Sequence, residues 1–227
     1  MQSTTQSVTR SMSSEFELAN TSLVDRVEAM LERYCAHSKQ HARLLNTLSM
    51  LEHIGSRKIM ATQSGKGLDQ PTLKHLAEET RHAFFFKRQA ERAARHSLDY
   101  SEKSLAAPAA ARMYFQRLDA STARTLGRNA IPKAAYLYMS MVVEFRAVWL
   151  YRLYQAVLER TRSAFSLRSV LAEEDRHLEE MSGALKTIGA LDAALIERLC
   201  CGERRLFERL LAALERSVDG FALTVLG

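Results

Sequence analysis

One pentapeptide pattern occurs twice, as Glu78-Glu79-Thr80-Arg81-His82 and as Glu173-Glu174-Asp175-Arg176-His177, and these hold the only Glu-x-x-His spacings in the chain. Each lies in a helix-forming stretch. On an α-helix, positions i and i+3 share a face, so Glu79 with His82, and Glu174 with His177, each present a carboxylate and an imidazole to one point in space. Each pair is half of a metal site, and completing it requires donors from further helices.

The rest of the chain is suited to supply helices. Glycine and proline number only 9 and 3 in 227 residues, while Leu, Ala, Arg and Glu abound, which predicts an all-α fold. This length can bury a sizeable core in one domain, read here as residues 22–227. The Ser-, Thr- and Gln-rich residues 1–21 lack the continuous apolar core of a signal peptide and read as a disordered tail. Cys35, Cys200 and Cys201 form no Cys-x-x-Cys pair and no disulfide framework, so a reducing cytoplasm is expected.

Residues 136–151 are apolar but carry Glu144 and Arg146, and are too short to span a bilayer with those charges. No membrane association is expected. The net charge of +6 would attract an acidic partner, yet Lys and Arg are interspersed with Glu along helices. Solvated helix faces are favoured over a nucleic-acid groove.

A capping box at Ser22-Leu23-Val24-Asp25 predicts a first long helix through Leu23, Val27, Leu31, Tyr34, Leu45, Leu48 and Ile59, ending near Ala61. Residues 63–67 read as a turn. Pro71 then opens a second helix reaching about His96, antiparallel to the first. A connection over about 97–130, with a short helix from Ala109 to Leu126, suits a crossover. Pro132 opens a third helix ending near Arg160, a fourth runs from about Ser166 to Ile188, and a last amphipathic helix through Leu195, Leu199, Leu206, Leu210 and Leu214 ends before Gly220. This order predicts a four-helix bundle with one long crossover and an added C-terminal helix.

A dinuclear carboxylate site in such a bundle takes one Glu from each of two helices and a Glu-x-x-His from each of the other two. Glu52 precedes Glu79 by 27 residues with the midpoint at the Gly65 turn. Both then lie about 20 Å from that turn at ~1.5 Å per residue, level across the hairpin. Glu144 precedes Glu174 by 30 residues with the midpoint near Glu159. That pair lies roughly 22 Å from its own turn. Opposed turns would bring the two levels together, so that Glu52, Glu79, His82, Glu144, Glu174 and His177 converge. Glu144 sits among Met141, Val142, Val143, Phe145 and Val148, where a lone carboxylate would be costly and a cation would relieve it. Whether Glu52 or its neighbour His53 faces inward depends on the rotation of the first helix. Oxygen donors with imidazole suit iron or manganese.

The doubled Glu-Glu-x-Arg-His resembles the [Asp/Glu]-Glu-x-Arg-His signature of ferritin-like di-iron carboxylate proteins, seen in bacterial multicomponent monooxygenases. The resemblance covers roughly Leu23 to Ile188 and is specific at the ligand motifs. It implies a ferritin-like fold holding two irons on the six residues above, one histidine and one terminal carboxylate per iron with two carboxylates bridging. It also implies that Glu78, Glu173, Arg81 and Arg176 orient the histidines.

Within that family the departures of this chain narrow the function. Iron-storing cages are generally acidic, whereas this chain is basic. The absence of Cys-x-x-Cys speaks against a self-contained rubrerythrin, and Phe86 stands where radical-generating reductase subunits typically carry a tyrosine. The spacings and length are similar to those of cyanobacterial aldehyde-deformylating oxygenases and of the tRNA-modifying di-iron hydroxylase. An oxygenase or oxidase acting with O2 on an apolar small molecule is therefore expected, with Phe84, Phe85, Phe86, Met141 and Val148 as candidate pocket walls. Its electrons would come from a separate donor protein, because the chain has no Gly-x-Gly-x-x-Gly loop and no cysteine cluster. A ferroxidase or oxidative-stress protein and a non-enzymatic helical interaction module are the alternatives; the oligomeric state is left open. Two further histidine features are weaker. His37 and His41, at i and i+4, lack the intervening Glu of a zinc protease and a third ligand. His75, one turn before Glu79, is either a bundle-end surface residue or an additional group at the metal.

Overall fold

The computed structural model describes residues 2–63, 69–127 and 131–225, with side chains described from residue 6 to residue 220. No strand occurs among them. Eight α-helices do: α1 (Gln2–Asn20), α2 (Val24–Cys35), α3 (Ser38–Gln63), α4 (Gln70–Ala94), α5 (Pro108–Leu126), α6 (Pro132–Arg160), α7 (Arg168–Thr187) and α8 (Ala193–Val225). None is long and apolar enough to cross a membrane. The chain forms two compact units, one of Met1–Glu28 with Gln116–Phe207, the other of Ala29–Phe115 with Glu208–Gly227.

The second unit is built on the antiparallel pair α3 and α4. Asp69 caps α4 by accepting a 3.0 Å hydrogen bond from the Thr72 amide, and Pro71 lies in the first turn, where its missing N–H costs nothing. Arg95, at φ 61°, ends the helix in the left-handed conformation. Replacing Asp69 by Ala should lower stability by about 1 kcal/mol, read as a shift in the urea midpoint. On α3, Ser49 donates to the Ala83 carbonyl of α4 at 2.7 Å, while Asn46 donates to the carbonyls of Asp99 and Ser104 and Thr47 bonds the backbone of Ala106. These buried side chains hold the α4–α5 connection against α3, satisfying backbone groups that would otherwise be costly to bury.

In the first unit, α6 packs with α7, and α1 lies on both. Helix α6 buries residues all round its axis, among them Tyr138, Met141, Val142, Phe145, Val148 and Trp149. A helix apolar on every side is stable only when other elements cover it. Within this apolar surface Arg146 forks onto Glu203 of α8, with Nε to Oε1 at 2.9 Å and Nη2 to Oε2 at 2.7 Å, and Nη2 also reaches Asn20 Oδ1 at 2.8 Å. The rings of Phe207, Phe16 and Trp149 surround the guanidinium, with centroids 4.0, 4.7 and 4.7 Å from its carbon.

Three sequence expectations are corrected. Residues 1–21, read as a disordered tail, hold α1, because Met12 and Phe16 form a buried stripe and Phe16 stacks on Phe145 at 5.6 Å. A polar composition concealed two apolar residues at helical spacing. The first long helix is interrupted at Ala36 and His37, dividing it into α2 and α3. His37, exposed at the break, still lies one turn before His41, accepting its amide at 2.9 Å, while His41 lies 3.7 Å from Cys35. Helix α8 continues through Gly220, where the sequence suggested a stop. A single glycine costs a helix only about 1 kcal/mol, too little to end one that packs well. The turn expected over 63–67 lies, from residue 64, outside the described residues.

Candidate metal centre

On α4, residues 75, 79 and 82 follow the i, i+4, i+7 spacing of one helical stripe, and all three side chains are buried. His75 Nε2 lies 3.3 Å from Glu79 Oε1, and His82 Nδ1 lies 3.8 Å from the same oxygen. Glu52 of α3 joins them, with ligand atoms of Glu52, Glu79 and His82 within 4.8 Å of one another. Its neighbour His53 turns to the ring of Tyr100, 5.9 Å between centroids, so of the two it is Glu52 that faces the cluster. One turn beyond Glu52, Gly55 also lies beside Glu79: a Cβ there would meet Oε2 at 3.6 Å, an ordinary van der Waals contact.

The first unit gathers its own trio. Glu144 of α6 and Glu174 and His177 of α7 are each at most 3% exposed. His177 Nδ1 lies 2.9 Å from Glu174 Oε2 and 3.6 Å from Glu144 Oε1. Burial disfavours a charged imidazole, but the hydrogen bonds and charges of Glu144 and Glu174 outweigh it and push the His177 pKa up to about 11. Without metal, His177 is an imidazolium held between two carboxylates.

That proton must leave when a metal takes the imidazole nitrogen. Metal uptake near pH 7 is expected to release about one proton from this site, measurable by calorimetry in buffers of differing ionisation enthalpy. The sign for the metal-free chain is the reverse. A pKa raised from 6.5 to about 11 stabilises the fold fully below pH 6.5, and that contribution declines as pH rises towards 11. High pH should therefore weaken the metal-free protein and favour the metal-bound one.

Each unit thus gathers two carboxylates beside imidazole, all of them buried but Glu52, which is half-buried. Set against the protein-family models, the curated proteins and the solved structures, the chain matches none. The donors themselves narrow the ion. Carboxylate oxygen and imidazole nitrogen, with no thiolate among them, suit iron or manganese. Two carboxylates in an apolar interior outweigh a single imidazolium, and a divalent cation would supply the missing charge.

The arginines of the two pentapeptides are placed differently from the clustered Glu and His residues. Arg81 and Arg176 are 53% and 43% exposed and approach Glu78 and Glu180 on their own helices at 3.8 and 3.7 Å. Asp175 pairs with Arg152 at 2.9 Å. Glu78 is buried and Glu173 half-buried. The aromatic run after His82 also divides: Phe86 is fully buried against Phe85, whereas Phe84 is 63% exposed and does not line an interior wall. Met141 and Val148, one turn either side of Glu144, are buried.

Proposed function

We propose that the two trios, Glu52 with Glu79 and His82, and Glu144 with Glu174 and His177, together hold a dinuclear iron centre in a ferritin-like bundle with one long crossover. The protein would then be a non-haem oxygenase or oxidase. What supports this reading most is that each helix pair, α3 with α4 and α6 with α7, brings one lone glutamate, half-buried Glu52 or buried Glu144, to a buried Glu-x-x-His. Surface coincidence would have left at least one of the two motifs in solvent. Manganese is the other ion that this donor set would accept.

The bound irons would supply the redox chemistry with O2, with electrons delivered by a separate donor protein and an apolar organic molecule as the substrate. The residues' own tasks follow from their placement. Glu79 and Glu174 each hold a histidine on the same helical face, and Glu52 and Glu144 bring negative charge from the neighbouring helix. Phe86, one turn after His82, and Met141 and Val148 around Glu144 are buried and would keep water from the site.

The deciding experiment is anaerobic loading with iron(II), counting of the iron bound, and exposure to O2 followed by Mössbauer and optical spectroscopy. About two irons per chain with a spin-coupled diferric product is the expected result. Uptake of hundreds of irons or more per particle would make the protein a storage ferroxidase. No uptake at all would leave a helical interaction module.

A further inference from the structure

The two pentapeptides differ in what precedes them by one turn. Before Glu79 that residue is His75; before Glu174 it is Val170. Both are buried, at 5% and 3% exposure, so this is a position facing the interior on either helix. At the second copy a branched apolar side chain fills it, and packing alone is satisfied. At the first copy the chain instead places an imidazole there, a group that is costly to bury unless its nitrogens are engaged. His75 Nε2 lies 3.3 Å from Glu79 Oε1, the same oxygen approached by His82 Nδ1. His75 and Glu79 also offer ligand atoms within 4.8 Å of each other.

From this asymmetry we infer that His75 is a seventh protein donor to the centre, bound beside Glu79, so that its two metals do not carry equal numbers of imidazoles. This rests on the dinuclear reading above. An added neutral nitrogen in place of water would make the two irons chemically distinct. The signal is present in the sequence as His-x-x-x-Glu-x-x-His, but a histidine one turn from a ligand is as readily a surface residue, and only its burial separates the two.

The test compares the wild-type chain with His75→Val, which installs the residue of the second copy, and with His75→Gln. All are loaded anaerobically with iron(II), and far-UV circular dichroism confirms the helical fold of each before loading. Mössbauer spectra of the wild type should resolve two iron environments of equal area, and pulsed EPR of the one-electron-oxidised form should detect nitrogen couplings from three imidazoles. In both variants, one of the two binding steps should weaken by more than the roughly 10–100-fold that loss of an outer-shell partner costs, with one imidazole coupling lost and the other step unchanged. If the variants keep all the wild-type nitrogen couplings, or if both steps weaken alike, His75 merely positions Glu79 and the inference is overturned. A wild-type chain that takes up no iron would instead remove the dinuclear reading itself, so the two failures are told apart.

Discussion

Glu144→Ala is expected to leave a folded helical chain that no longer holds a complete metal centre. Iron content after anaerobic loading should fall from about two per chain to about one or fewer, and the optical change on exposure to O2 should disappear. The carboxylate lies 3.6 Å from the His177 imidazole and is 3% exposed, so its loss removes an interior oxygen donor that no solvent group can replace. The metal-free fold should survive, because an apolar side chain among Met141, Val142, Phe145 and Val148 suits α6 better than a charge does. The loss of Glu144 also removes one of the two carboxylates that hold the His177 proton, so its pKa should fall towards the ordinary histidine range. Asp175→Ala is the matching control. Asp175 is adjacent to Glu174 but 51% exposed and paired with Arg152, and its removal should leave the iron content unchanged. Equal iron content in Glu144→Ala and the wild type would dismiss Glu144 as a ligand.

The second large effect concerns stability alone. Arg146→Ala should destabilise the protein by about 3–5 kcal/mol, because it leaves Glu203, which is 0% exposed, as a buried carboxylate without its guanidinium. It also removes the bond to Asn20 and the contacts with the Phe16, Trp149 and Phe207 rings. Denaturant melts would show the midpoint falling with little change in slope. Arg146→Met combined with Glu203→Leu should recover most of the loss, since an apolar pair of similar volume avoids the desolvation that the ion pair must offset. A cost for Arg146→Ala of less than about 1 kcal/mol would mean that the pair behaves as a solvated surface bridge.

These two residues, two positions and roughly 200° apart on the same helix, divide what could be read locally from what could not. Helical periodicity and the three prolines located α4, α5 and α6 closely, with α6 running from Pro132 to Arg160 as expected. The i, i+3 geometry of Glu79 with His82 and Glu174 with His177 was equally legible, because it depends only on the helix that carries it. So was the pairing of Glu52 with Glu79, since a helical hairpin makes distance from the turn a measure of depth.

Contacts between elements distant in the chain were not legible. Nothing near Arg146 announces that its partner is Glu203, 57 residues on, or that Phe16 in a Ser-rich segment stacks on Phe145. The rotation of each helix about its axis was equally hidden, and that rotation sends Glu52 towards Glu79 and His53 towards Tyr100, and buries His75. The amino-acid sequence by itself determined which segments are helical and which donors share a helical face, because both follow from backbone spacing within one segment. Only the tertiary structure decided which buried charges are paired with each other and which stand beside imidazoles in a metal-ready cluster, because burial and pairing arise from packing between segments.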